Sequence, residues 1–178
     1  MSKVITFELG TKSINQAIRQ LNAYKTELET KTERLRELIA ERIAWSASNG
    51  FSTAIADDIF TGEGDRPTGD VQVSVDHKGD VSVVIADGND AVFIEFGAGV
   101  YYNGSAGSSP HPKGEENNFL IGEYGKGQGK RKAWALPEST SENPVLTHGT
   151  PAAMPMYRGV VEVTNMIGEL AREVFGSD

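Results

Sequence analysis

Three histidines, His77, His111 and His148, are the first candidates for acid–base or metal chemistry, since imidazole titrates near neutrality and readily ligates metals. None stands in a metal-binding spacing. His77 falls in a turn, His111 between two prolines and His148 before a glycine, and solvated loop positions account for all three. The acids Asp57, Asp58, Glu63, Asp65, Asp70, Asp76, Asp80, Asp87 and Asp90 form a long series without EF-hand spacing, and read as turn residues or the polar faces of strands. Gly125-Lys126-Gly127-Gln128-Gly129-Lys130-Arg131-Lys132 looks like a phosphate cradle but has the wrong glycine spacing for a P-loop and leads into a strand. It reads as a basic loop that could touch DNA phosphates. No HExxH helix or GxSxG elbow occurs, and with no cysteine there is no thiolate nucleophile, thiolate zinc site or disulfide framework. Glu95 stands apart, because Val92, Phe93, Ile94 and Phe96 surround it with apolar side chains. A buried acid needs a partner, so Glu95 is expected to cap backbone amides or pair with a basic group and thereby hold the Glu95-Phe96-Gly97 turn. No catalytic, cofactor or metal site is expected.

The elements that would position these residues are legible from periodicity. Ser13-Ile14-Asn15-Gln16 has capping-box spacing. Behind it Ile14, Leu21, Leu28 and Leu35 recur every seven residues, with Ala17, Tyr24 and Leu38 at the second apolar position and Lys31 and Arg42 interrupting. With Asn49-Gly50 as the stop, this predicts a helix over 13–49, roughly 50 Å long at about 1.5 Å per residue, lying across a sheet as a core helix rather than as a free coiled coil. Antiparallel strands are expected over 51–87. The first covers 51–60; after a loop at 61–67, Val71, Val73 and Val75 alternate with polar residues. A turn at His77-Lys78-Gly79-Asp80 then leads to Val81, Val83 and Ile85, giving a hairpin with one face on the core. Asp87-Gly88-Asn89-Asp90 breaks the strand, and 91–97 reads as a short helix. From 97 to 150 the chain is rich in Gly, Ser, Asn and Pro around one apolar island, Lys132-Ala133-Trp134-Ala135-Leu136. Over 155–175, Met156, Val160, Val163, Ile167, Leu170 and Val174 share one helical face, with Pro155 suited to its start and Gly176 to its end. The expected fold is α+β: a long N-terminal helix and a C-terminal helix packed on a small antiparallel sheet, with a long Gly-rich insertion.

Length and composition fit a single domain of 178 residues, 38% hydrophobic and 24% charged, in which twenty glycines imply long loops. The net charge of −8 is uneven: residues 1–50 carry eight basic and six acidic side chains, whereas 51–100 carry two and ten. An acidic middle disfavours general nucleic-acid binding, which draws its affinity from Lys and Arg at phosphates. The first residues lack the apolar run of a secretory signal, and no stretch approaches membrane-spanning length.

Phe93-Ile94-Glu95-Phe96-Gly97-Ala98-Gly99, a glycine-rich insertion with Trp134, then Thr147-His148-Gly149-Thr150-Pro151-Ala152 and Met154-Pro155-Met156-Tyr157 resemble the gene-product-10-like tail-component family of tailed bacteriophages. The resemblance runs from about residue 13 to 175, and the extra length relative to many members lies mainly in 100–150. It implies a non-enzymatic virion structural protein of the head-tail joint or tail, a neck or tail-completion component without cofactors. Such a protein would be made in the bacterial host cytoplasm and assembled as a homo-oligomer, as in a ring, with head-connector and tail proteins as its other partners. No membrane and no specific nucleic-acid binding are expected. DNA would pass nearby, and acids of 57–90 facing a bore would let it slide without sticking. Glu95, Phe96, Gly97 and Gly99 are the expected structural motif; Tyr101, Tyr102, Trp134 and Tyr157 are candidate partner contacts, with packing on the protein's own sheet the alternative for Tyr101, Tyr102 and Trp134. A minor capsid protein or morphogenesis factor away from the neck is the second reading, and a hydrolase built on Glu95 or the acidic cluster the third.

Overall fold

A computed structural model describes residues 10–56, 71–97, 111–114, 116–117, 134–135, 146–147 and 152–176. The heptad pattern folds as one helix, α1 (Thr11–Ala56), whose 46 residues span about 70 Å. Its first turn closes on the Gly10 carbonyl, which accepts from the Ile14 N–H at 2.9 Å. Ser13 therefore lies inside the helix and is not its cap. The helix also runs through the predicted stop: Asn49 and Gly50 are helical, and 51–56, expected as a strand, form its last turns. The reason is burial. Phe51 and Ala54 continue a helical face into a core cluster with Ala91 and Ile94, and that gain outweighs the helix-breaking cost of one glycine, about 1 kcal/mol. Residues 57–60 of the expected strand lie outside the described residues.

The hairpin pairs β1 (Gln72–Lys78) with β2 (Val81–Asp87) in antiparallel register, from Gln72 opposite Asp87 to Lys78 opposite Val81. Its loop is only Gly79-Asp80; Gly79 takes φ 54°, a conformation favoured by glycine and suited to the first central position of a tight hairpin. Lys78 and His77 are thus strand residues. In this register Val73 lies opposite Ala86, Val75 opposite Val84 and His77 opposite Ser82. Residues opposite one another share a face, and this is the face turned to α1: Val73 and Ala86 pack on the cluster that contains Phe51 and Ala54, and Ser82 and Val84 line one cavity with Arg36, Ile39 and Ala40. Val81, Val83 and Ile85, expected on the core, instead point outward and are exposed.

After the Asp87–Asp90 break comes α2 (Ala91–Phe96), closed by the Gly97 N–H donating to the Phe93 carbonyl. The C-terminal helix α3 (Pro155–Phe175) has Pro155 in its first turn and Gly176 at its end. It runs back along α1, with Pro155 against Gly50, Gly159 against Ile43 and Ala47, and Val163, Leu170 and Val174 among Leu35, Leu38, Ile39 and Ile43. The buried line is Pro155, Gly159, Val163 and Leu170, whereas Val160 and Ile167 of the expected stripe are exposed. The architecture is α+β, with α1 as the central element: the hairpin lies on one side of it and α3 along another, so α3 packs on α1 more than on the sheet. A second two-stranded sheet pairs β3 (Trp134–Ala135) with β4 (Leu146–Thr147) antiparallel. Most of the Gly-rich insertion lies outside the described residues.

Candidate functional site

Glu95 is the one buried acid among the described residues, and three donors surround it. It projects from α2 toward the start of α3, where the first N–H groups of a helix have no partners within the helix. Met154, which precedes α3, adopts a left-handed φ of 58° and offers no side-chain cap. Pro155 has no N–H. Glu95 supplies what the local sequence lacks: Oε2 accepts from the Met156 N–H at 2.8 Å and Oε1 from the Tyr157 N–H at 2.9 Å. A carboxylate at this end also meets the positive pole of the helix dipole. The approach is fixed by a backbone bond from the Ala153 N–H to the Ile94 carbonyl at 2.8 Å.

The third donor is His111. Its Nε2 lies 3.0 Å from Glu95 Oε1, while its Nδ1 accepts the Lys113 backbone N–H at 2.9 Å. An accepting Nδ1 carries no hydrogen, so the ring proton sits on Nε2 and points at Glu95. The contact is a hydrogen bond from a neutral imidazole to a carboxylate. Ring packing completes the pocket: Phe96 lies 4.3 Å from the imidazole centroid, and Tyr157 meets it edge-on at 5.3 Å. A tight turn, with the Gly114 N–H on the His111 carbonyl, presents the imidazole. The site thus ties three distant pieces of chain, residues 94–97, 111–114 and 153–157, to one carboxylate.

Such an arrangement is a staple. Three of the roughly four acceptor sites of the Glu95 carboxylate and both imidazole nitrogens are engaged by groups of the fold itself. Of the residues singled out in the sequence, Glu95, Phe96, Gly97 and Tyr157 come together here. Gly97 takes φ 79°, which explains the glycine. Trp134 stands in β3 opposite Thr147, and Gly99, Tyr101 and Tyr102 lie outside the described residues. His111, read as a solvated loop residue, is buried at 6% exposure and is the partner that Glu95 required. No local spacing signals it, because the two stand sixteen positions apart, with glycine-rich chain between them. His77 hydrogen-bonds Ser82 Oγ across the hairpin at 2.8 Å, and His148 lies outside the described residues.

The outer surface carries a second kind of feature. Val81, Val83 and Ile85 form an exposed apolar row on β2, Trp45 of α1 is 62% exposed, and Ile14, Ile18, Leu21, Tyr24 and Leu28 remain exposed along the first half of α1. Singly exposed apolar residues are ordinary on protein surfaces, and it is the alignment of these side chains in rows that sets them apart. Among the described residues, no helix is long and apolar enough to cross a membrane. Comparison with protein-family models, with curated proteins and with solved structures finds no match to this chain.

Proposed function

We propose that this chain is a structural component of a phage head-tail joint or tail, acting through self-assembly and contacts with neighbouring proteins. One observation carries the reading: the buried polar cluster is spent on holding the fold, while apolar side chains stand in rows on the outside, with Val81, Val83 and Ile85 the clearest. A protein built for chemistry shows the reverse, converging polar groups with open valences in a cleft. The sequence resemblance over residues 13–175 supports the same reading and supplies the setting. In that setting the outer row of β2 and Trp45 meet neighbours, and Glu95 keeps the start of α3 in place so that these surfaces hold their shape.

Detection of the chain at fixed copy number in purified particles of a phage that encodes it, with rings of the isolated protein in negative-stain images, is the expected result. Absence from mature particles but presence in assembly intermediates would give the morphogenesis-factor reading. A monomer at all concentrations that is missing from both would end the proposal.

A further inference from the structure

A two-stranded sheet has two edges, and here they differ. β1 carries Asp76 and Lys78, charges of the kind that keep an edge from pairing, whereas β2 has neither a charge nor a proline from Val81 to Ala86. With Lys78 opposite Val81 across a two-residue loop, the hydrogen-bonded pairs of the ladder fall at Val81, Val83 and Ile85 of β2. The N–H and C=O groups of Ser82 and Val84 therefore point away from β1, and they meet no backbone partner among the described residues. Beside them runs an apolar cavity of about 320 Å³, floored by Leu35, Ile39 and Ile43 of α1. The same three residues pack on Val163 and Leu170, so the cavity lies between the edge of β2 and α3. Arg36 on its wall engages Gly79 and Glu33 through its terminal nitrogens, while its buried Nε has no acceptor. A donor left over in a folded chain is accounted for when another chain finishes the site.

A free edge above an apolar floor is what strand addition requires: main-chain bonds hold the incoming segment, and alternate side chains drop into the cavity. β2 runs along α1, from Gly79 beside Arg36 to Ala86 beside Phe51 and Ala54. An added strand takes the same course. Its inward side chains, about 7 Å apart, then lie over Leu35, Ile39 and Ile43, which follow one another at about 6 Å.

We infer that the edge of β2 takes up residues 3–9 of a second copy. Lys3-Val4-Ile5-Thr6-Phe7-Glu8-Leu9 lies outside the described residues, and its sequence has what the edge calls for: β-branched Val4, Ile5 and Thr6, with Ile5, Phe7 and Leu9 at period two. Those three side chains enter the cavity, and Val4 and Thr6 turn outward beside Val83 and Ile85. The length of the chain rules out its own copy as the donor. Arg36 stands about 39 Å along α1 from Gly10, at about 1.5 Å per residue, whereas nine extended residues span at most about 32 Å. Donor segment and acceptor edge are different surfaces, so the contact is head-to-tail, the kind that closes into a ring when the rotation permits. The inference rests on the proposed ring assembly for its setting and names a contact that builds it.

Two full-length variants test it. Ile5→Asp/Phe7→Asp spoils the donor and leaves the edge intact. Ser82→Pro spoils the edge, removing an N–H that the hairpin does not use at a position where proline is tolerated. Each variant alone should be monomeric by light scattering at about 100 µM, and the equimolar mixture should give a one-to-one dimer, because one working donor meets one working edge. In that mixture, hydrogen exchange of the Ser82 and Val84 amides of the donor variant should slow at least about tenfold. A mixture that stays monomeric, or a donor variant that assembles as the native chain does, would overturn the inference. Should Ser82→Pro unfold, a peptide of residues 1–10 takes its place: added to the donor variant it should protect the same two amides, and the peptide carrying both aspartates should not. No protection at about 1 mM native peptide would end the idea. Chains found in phage particles together with a monomeric mixture would remove only this contact, and a dimeric mixture with no chain in particles would remove only the phage setting.

Discussion

A carboxylate that accepts two helix-terminal amides and one imidazole proton is worth more than any one of those bonds, because removing it orphans all three donors at once. Glu95→Ala leaves the Met156 and Tyr157 N–H groups and His111 Nε2 without their acceptor in a buried pocket. At about 1–3 kcal/mol per unsatisfied buried donor, partly relieved by entering water, the loss in urea unfolding should be about 3 kcal/mol or more. Glu95→Gln keeps the shape but turns one oxygen into a donor facing a donor, and should cost about 1–2 kcal/mol. If instead Glu95→Gln is as stable as the native chain, the staple is not what holds the start of α3. His111→Phe should retain the ring packing against Phe96 and Tyr157 while losing the hydrogen bond. A double-mutant cycle with Glu95→Gln should then give a coupling of about 1 kcal/mol, and nitrogen NMR of the native chain should show the Nε2-protonated tautomer. At this scale half of the site could be read from the sequence. An acid among Val92, Phe93, Ile94 and Phe96 announces that it needs a partner. The partner's identity is set by a turn at His111 that forms only once the chain has folded back, and no residue spacing encodes that.

Between elements, two glycines decide how closely α1 and α3 approach. A Cβ on Gly50 would lie 2.8 Å from Pro155 Cβ, part of a rigid ring at the start of α3, and one on Gly159 would lie 3.2 Å from the Ile43 carbonyl oxygen and 3.3 Å from the Ala47 nitrogen. Gly168, on the same helix as Gly159, has open space around it. The three sites separate helix propensity from packing. Gly168→Ala should stabilise by about 0.5–1 kcal/mol, the ordinary gain of alanine over glycine in a helix. Gly50→Ala gains the same propensity but overpacks the contact with Pro155, and should be destabilising by about 1 kcal/mol net in thermal or urea unfolding. A stabilising Gly50→Ala would mean that the helices are free to separate there. The same glycine explains where the sequence misleads. Asn49-Gly50 resembles a helix end, yet Gly50 is there to let α3 lie close, and the helix continues to bury Phe51 and Ala54. The hairpin face was open to a different error. Val83-Val84-Ile85 is apolar at both parities, so alternation alone does not choose a side. A two-residue loop at Gly79-Asp80 sets odd-numbered residues of β1 opposite even-numbered ones of β2, and once Val73 and Val75 are buried, Val84 and Ala86 must join them. By contrast α3, with proline at its start and glycine past its end, was legible almost to the residue.

For the whole molecule, the consequence of that parity is an apolar row on the outside, and the row gives the proposed assembly its sharpest test. Val83 lies in mid-strand with 42% exposure, opposite Asp76 and away from α1. An aspartate there meets water and removes no core contact but stands opposite Asp76, so Val83→Asp should lower the unfolding free energy of the isolated chain by about 1–2 kcal/mol, from lost β-propensity and the like charge across the strands. In an assembled ring whose neighbours cover this row, the same change buries a charge without a partner. Ring formation, counted by negative stain or followed by mass in solution, should therefore fall at least about tenfold at a temperature where the isolated variant, its melting temperature lower by only a few degrees, is still fully folded. Trp45→Ala tests the other outward surface in the same way, since at 62% exposure its indole contributes little to the folded chain. The pattern of outcomes is informative as well. Loss of rings with Val83→Asp, and retention with Trp45→Ala, would assign the hairpin face and not the Trp45 surface to assembly. If both variants form rings as the native chain does, neither surface is a contact, and assembly must rest on surfaces other than the β2 row and Trp45.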